Sequence, residues 1–96
     1  MIRLPKLMLG DNLPQLIKIA TAISDDYSST VECDAEQLVT AEPVAPCLLA
    51  ASFGQLERRG QRAQIRGLRF EIRRNLEKLN ILTEWFGEEP READSR

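Results

Sequence analysis

Residues 30–66, TVECDAEQLVTAEPVAPCLLAASFGQLERRGQRAQIR, decide the fold, because two strand patterns flank a helix pattern there. Residues 30–34 alternate, so Val31 and Cys33 share one face, and Asp34 stands where the strand should end. Pro43 and Pro46 suit the opening turn of a helix and not its middle. A helix is therefore expected from about residue 44 to Arg59, stopped at Gly60, a good C-terminal residue. Residues 61–66 alternate again, with Ala63 and Ile65 facing one way, which reads as a half-buried strand near a sheet edge. A connection of this length joins parallel strands, and does so right-handedly. Between Asp34 and the helix, residues 35–42 carry a mixed pattern in which Leu38 and Val39 are the expected buried anchors.

The flanks extend the same alternation of elements. Residues 2–9, IRLPKLML, read as an extended opening segment in which Pro5 favours an edge or a break. Gly10, Asp11 and Asn12 supply a turn, and Asn12 with Gln15 three positions on fits a capping box. Leu13, Leu16, Ile17, Ala20 and Ile23 then recur at helical spacing up to about Ser24–Asp26. Downstream, Gly67 breaks the second strand, and Leu68, Ile72, Leu76 and Leu79 mark a third helix with Asn80 as a left-handed exit. Ile81, Leu82, Trp85 and Phe86 are expected to pack a final short turn onto the body. The order strand, helix, strand, helix, strand, helix predicts a single α/β domain over residues 1–86, a short mixed or parallel sheet with covering helices. Residues 87–96, GEEPREADSR, hold no hydrophobic anchor and read as a flexible acidic tail.

Composition bounds the function. The 96 residues suffice for one domain, and with 43% hydrophobic but 5% aromatic residues the core must be largely aliphatic. The longest apolar runs fall short of the ~20 residues that span a bilayer. With no export signal at the start, a cytoplasmic location is expected, and Cys33 and Cys47 read as two buried thiols. The net charge of -2 hides a segregation: residues 57–78 carry eight basic and three acidic side chains, whereas residues 1–56 carry three and seven. Arg58, Arg62, Arg66, Arg69 and Arg73 thus form a candidate basic patch. Three readings are compatible with it: a solvated outer face, a receptor for an acidic protein, or a phosphate-binding surface. Nucleic acid is the least supported, since no aromatic residue interleaves with the arginines of residues 57–69 to stack on bases.

The usual chemistry is missing. There is no histidine, the commonest acid–base group and metal ligand near neutral pH. The cysteines are too far apart for a CxxC pair, and neither a phosphate-cradling glycine loop nor a Walker lysine occurs. Asp34 and Glu42 are candidate paired carboxylates without a third group, and Cys47 in a helix's first turn reads as structural rather than reactive. No enzyme activity, cofactor or metal is expected. The helix after Pro43 carries Cys47, Leu48, Leu49, Ala50, Ala51 and Phe53, which leave little polar face. A second buried contact follows, either with a helix of the same domain or with a partner protein.

Three stretches resemble STAS domains, the fold of anti-sigma-factor antagonists and of the MlaB-like lipid-transport subunits. Val31-Glu32-Cys33-Asp34 with Leu38 looks like that family's strand ending in Asp before a hydrophobic loop residue. Glu42-Pro43-Val44-Ala45 falls at the spacing of the family's Asp-Ser-Ser-Gly, where its signature helix begins. Residues 67–81 look like the closing helix and its exit, so the resemblance spans roughly residues 30–86. It implies a protein-binding module whose docking surface comprises Asp34, Glu42, Pro43, Val44, Cys47 and Leu48. It also implies partners of the anti-sigma or kinase-like kind, or, in the MlaB-like branch, the ATPase of a lipid ABC transporter; a homodimer is a further expectation. The departure matters as much. The family's phosphorylated serine is matched by Pro43, the next residue is Val44, and no other hydroxyl lies in residues 41–51. The expected function is thus a regulatory or accessory subunit of a cytoplasmic signalling or transport complex without the serine phosphoswitch. The short opening, about nine residues before the first helix, is closer to the MlaB-like branch.

Overall fold

Val31 and Cys33 are fully buried while Thr30, Glu32 and Asp34 are not, so β3 (Thr30–Asp34) has one covered face. The computed structural model describes residues 1–87. The opening segment is divided: β1 (Ile2–Arg3) and β2 (Leu7–Met8) are separated by residues 4–6, which hold Pro5 and a bend at Lys6. β1 pairs in parallel with β3, and β2 pairs in parallel with β4 (Thr40–Ala41). The mixed segment after Asp34 therefore contains a turn and a short strand. Its Leu38 is buried as expected, but Val39 is 41% exposed; its N–H goes to Lys6 O at 2.8 Å while its side chain faces water.

β5 (Arg62–Arg66) lies on the other side of β3, in parallel over its full length, with Val31 opposite Ala63 and Cys33 opposite Ile65. A further parallel bridge joins Ile65 to Phe86, so successive positions in the sheet are β1, β3, β5 and Phe86. Every strand pairing is parallel, which resolves the mixed-or-parallel expectation. Stepping always in one direction with connections of one hand puts the helices on one face. That is the face holding Val31, Cys33 and Ile65. The opposite face carries Arg3, Glu32, Asp34, Arg62, Gln64 and Arg66, polar at each position. A parallel sheet usually has both faces covered; here the strict alternation within TVECD and RAQIR already encodes one polar face.

α1 (Leu13–Ser24) turns Leu16 and Ile23 to the core, with Ile19 half-buried against it. Leu13 and Ile17, expected in the same stripe, are 49% and 54% exposed. They lie one helical step to the side of Leu16 and Ile23, and α1 is apolar over more than the width it buries. The capping box is absent. Asn12 makes no side-chain cap bond, its carbonyl instead accepts from Gln15 and Leu16, and Gln15 Oε1 is buried without a partner.

α2 (Val44–Arg58) presents Leu49, Phe53 and Leu56 to the sheet. Its end is a Schellman turn: Gly60 adopts φ 85°, with Gly60 N–H on Glu57 O and Gln61 N–H on Leu56 O, both 3.0 Å. α3 (Phe70–Leu79) begins later than the expected Leu68 because Gly67 is left-handed (φ 79°) and Arg69 is extended. Leu68 is buried ahead of the helix, whereas Leu79 is exposed. Asn80, left-handed at φ 58°, closes α3 in a second Schellman turn. Ile81 donates to Leu76 O at 3.0 Å and takes the inner place expected of Leu79. A 3-10 turn, Thr83–Trp85, then brings Trp85 edge-on to Phe53 with ring centres 5.5 Å apart. Gly87 N–H donates to Ile65 O at 2.9 Å; the rest of the expected tail lies outside the described residues.

Candidate functional site

The sequence points to the start of α2. Glu42 N–H donates to Met8 O at 2.9 Å, which continues the β2–β4 pairing, and the Glu42 carboxylate accepts the N–H of Gly10 in the turn ahead of α1. The starts of α1 and α2 are thereby clamped side by side. A Cβ on Gly10 would lie 3.2 Å from Glu42 Oε1 and 3.4 Å from Val44 Cγ1, so the two segments are in close contact. Glu42 is therefore occupied in holding two loops together.

Pro43 caps α2 in a helical conformation without a side-chain cap bond, and Pro46 sits in the first turn. Neither has an N–H. Ala45 donates to Glu42 O at 2.9 Å and Cys47 to Pro43 O at 3.3 Å, which leaves Val44 as the first-turn N–H without a partner among the described residues. A helix start that binds phosphate offers several N–H groups at once. This one cannot. The next hydroxyl, Ser52, is buried and donates to Leu48 O at 3.1 Å. The first turn of α2 thus carries no hydroxyl, and Val44 supplies its one unpartnered N–H among the described residues.

Of the expected docking residues, Glu42, Pro43, Val44 and Cys47 are exposed, with Val44 at 44%. Leu48 is half-buried against the core. Cys47, expected to be buried, points to water because it falls on the outer side of α2, opposite Leu49 and Phe53. Cys33 is buried, and burial pushes its thiol up to about 12. Asp34 is turned to local work: Oδ1 accepts from Glu36 N–H at 2.9 Å, and Oδ2 is 3.7 Å from Arg3 Nε. The two carboxylates hold different backbone amides and make no acid–base pair. Among the described residues no cluster of His, Cys, Asp and Glu could hold a metal ion.

Periodicity assigns Leu13 and Ile17 to the core, yet both are exposed on the first turns of α1. The available signal was the excess of apolar residues in α1: Leu13, Leu16, Ile17, Ile19, Ala20 and Ile23 are more than one stripe can bury.

The five arginines come from different elements. Arg62 and Arg66 project from the open face of the sheet, where Arg66 Nη1 lies 3.6 Å from Glu32 Oε2. Arg73 is in the helical layer, stacked over Phe86 at 4.7 Å and 3.5 Å from Glu77. Arg58 ends α2 and Arg69 precedes α3.

Among the described residues no helix is long and apolar enough to cross a membrane. The chain matches no protein-family model, no curated protein and no solved structure.

Proposed function

We propose that the chain is a STAS-like protein-binding module without catalytic activity, a regulatory or accessory subunit of a cytoplasmic signalling or transport complex. The observation that carries this reading is the exposure of Leu13 and Ile17 on the first turns of α1 and of Val44 and Cys47 on the first turn of α2, two helix starts that the Glu42–Gly10 bond holds together. Large apolar side chains grouped at one end of a small domain mark a protein interface. The clamp between Glu42 and Gly10 favours a surface of fixed shape, which lowers the ordering cost of docking. The residues of the STAS-like motif support the same surface, and the two prolines favour control of binding by some route other than phosphorylation of this helix start. The partner is an anti-sigma or kinase-like regulator, or a transporter ATPase in the MlaB-like reading.

The test is affinity capture of the native protein from its own cytoplasm, with partner identification, beside the variants Val44→Asp and Ile17→Asp. Both should lose the partner while keeping the thermal midpoint, because both side chains are half exposed. Phe70→Asp, on the exposed side of α3, should keep it. Undiminished capture by both α1 and α2 variants would sink the proposal.

A further inference from the structure

The open face of the sheet carries its charges in columns. All-parallel sheets are almost always covered on both sides, and here the helices lie on the side of Val31, Cys33 and Ile65. On the other side β3 presents Thr30, Glu32 and Asp34, while β5 presents Arg62, Gln64 and Arg66 at the same three levels. One column is acidic and the next is basic. The widest level has four positions: Arg3, Asp34, Arg66 and, beyond the Phe86 bridge to Ile65, Gly87. Gly87 belongs to this face, since a Cβ built on it would stand 2.9 Å from Arg66 Cγ and 3.2 Å from Gln64 Cγ. The Arg3 and Arg66 side chains are 69% and 47% exposed.

This pattern is its own complement. A two-fold axis parallel to the strands and set between β3 and β5 stands at the centre of the four positions. It lays β3 of one copy over β5 of the other, level on level, with the strand direction kept. Asp34 of one copy then faces Arg66 of the other, Glu32 faces the Gln64 amide, and the Thr30 hydroxyl faces Arg62, each twice by symmetry. At the ends of the widest level the long Arg3 side chain comes over Gly87, which has no side chain to meet it. An axis on β3 would set Asp34 on Asp34 and Glu32 on Glu32, and an axis on β5 would set Arg62 and Arg66 on their own copies. Only the central axis pairs unlike charges.

We infer that the open face of the sheet is an interface between two copies of this chain, packed face to face about that axis. Sheets packed in this way sit about 10 Å apart, with their strands within about 30° of one another. Three strands of up to five residues cover only roughly 14 by 17 Å, so the interface is small and the association weak and reversible. Its contacts are exposed ion pairs and hydrogen bonds, which salt loosens. The helical layer stays uncovered in the dimer, and the starts of α1 and α2 remain free in both copies. The inference therefore does not rest on the function proposed for those helix starts.

Sedimentation equilibrium of the full-length protein tests this, over concentrations from about 10 μM to about 1 mM, the range of weak association. At low salt the average mass should rise from the monomer value toward twice that value, and it should fall back in about 0.5 M salt. Gln64→Lys sets a cation opposite Glu32 twice and should tighten the dimer about fivefold, the scale of two exposed charge pairs. Gln64→Glu sets like charges there and should weaken it by about the same factor. Arg66→Glu, opposite Asp34, should weaken it too, at an exposed position that does not depend on how Gln64 packs. Concentration-dependent amide shifts in NMR spectra should fall on β3 and β5. Val44→Asp and Ile17→Asp should leave the dimer unchanged, so loss of a partner at the helix starts and loss of self-association are read separately. Three results each overturn the inference: a monomer throughout the concentration range at low salt, the two Gln64 variants moving association in the same direction, or concentration-dependent shifts confined to α1 and α2, which place the second copy on the helical layer.

Discussion

Alanine placed at three glycines should give three different outcomes, each fixed by a separate feature of the fold. Gly54 lies inside α2, and a Cβ added there meets nothing within 4 Å. Gly54→Ala should stabilise the protein by about 0.5–1 kcal/mol, the backbone entropy that glycine costs a helix interior. Gly60 ends α2 at φ 85°, again with open space around the added carbon. The left-handed backbone alone sets the cost there, about 1–2 kcal/mol. Gly67 adds a collision to a similar φ of 79°: its Cβ would stand 3.1 Å from Glu36 N and 3.3 Å from Glu36 Cα, both backbone atoms. Glu36 must shift by a few tenths of an ångström, and the hydrogen bond it donates to Asp34 Oδ1 shifts with it. Losing part of that bond adds about 1 kcal/mol, for a total near 2–3 kcal/mol. Urea unfolding followed by circular dichroism measures all three, and in a domain of this size each kcal/mol moves the thermal midpoint by about 4–8 °C. Equal costs at Gly60 and Gly67 would refute the close approach of the β3 and β5 ends. A loss of stability at Gly54 would refute the open outer face of α2.

In the native protein a thiol reagent should modify Cys47 promptly and Cys33 only on unfolding, as counted by mass spectrometry. The raised Cys33 value adds a pH dependence: below its ordinary value of 9.0 the stabilisation is complete, and it is lost as pH climbs toward about 12. The loss runs at up to about 1.4 kcal/mol per pH unit, and Cys33→Ala should remove that slope from the urea midpoint. Glu57→Ala leaves the Trp85 N–H in a partly buried site without its acceptor and should cost about 1–2 kcal/mol, while Glu57→Gln, which keeps an acceptor, should cost less. Asp26 accepts the hydroxyl of Ser28 at 2.6 Å and its N–H at 3.0 Å, which holds its carboxyl below the ordinary value. Its contribution is present above that value and is lost in acid; an NMR titration of Asp26 should move back upward in Ser28→Ala.

Much of the fold was legible because local signals and tertiary demand agree. Alternation marked β3 and β5, and Gly60 and Asn80 fell at the left-handed positions that their Schellman turns require. The failures have physical causes. Periodicity sees that α1 is apolar but cannot tell which part of a broad apolar surface meets the sheet, so it places Leu13 and Ile17 inward. Two-residue strands such as β2 and β4 have no periodicity to read, since their pairing depends on residues about 33 apart. The capping box failed because Gln15 turned inward, and side-chain direction is decided by packing. The packing of Leu82 is legible in the apolar run at residues 81–86, but its backbone conformation is not. Its left-handed φ of 66° is unusual for a bulky residue, and what keeps it there is burial of its side chain beneath the last turn. At the candidate site, the identities of Glu42, Pro43 and Val44 were plain, but the Gly10 partner of Glu42 is 32 residues away.

The Glu42–Gly10 bond and the Trp85–Glu57 bond lie at opposite ends of α2. A phosphoswitch works by adding charge where several helical N–H groups can answer it, and Pro43 and Pro46 have taken two of those groups out of this helix. What is left at the start of α2 is an apolar surface held in register with α1 by a carboxylate–amide bond. The far end of the same helix carries Glu57, whose carboxylate accepts the N–H of Trp85. Between the two ends Leu49, Phe53 and Leu56 are packed against the sheet, so α2 cannot turn about its axis without emptying the core. The two ends are therefore joined by a rigid rod, and the bond at each end is one that a single substitution can isolate.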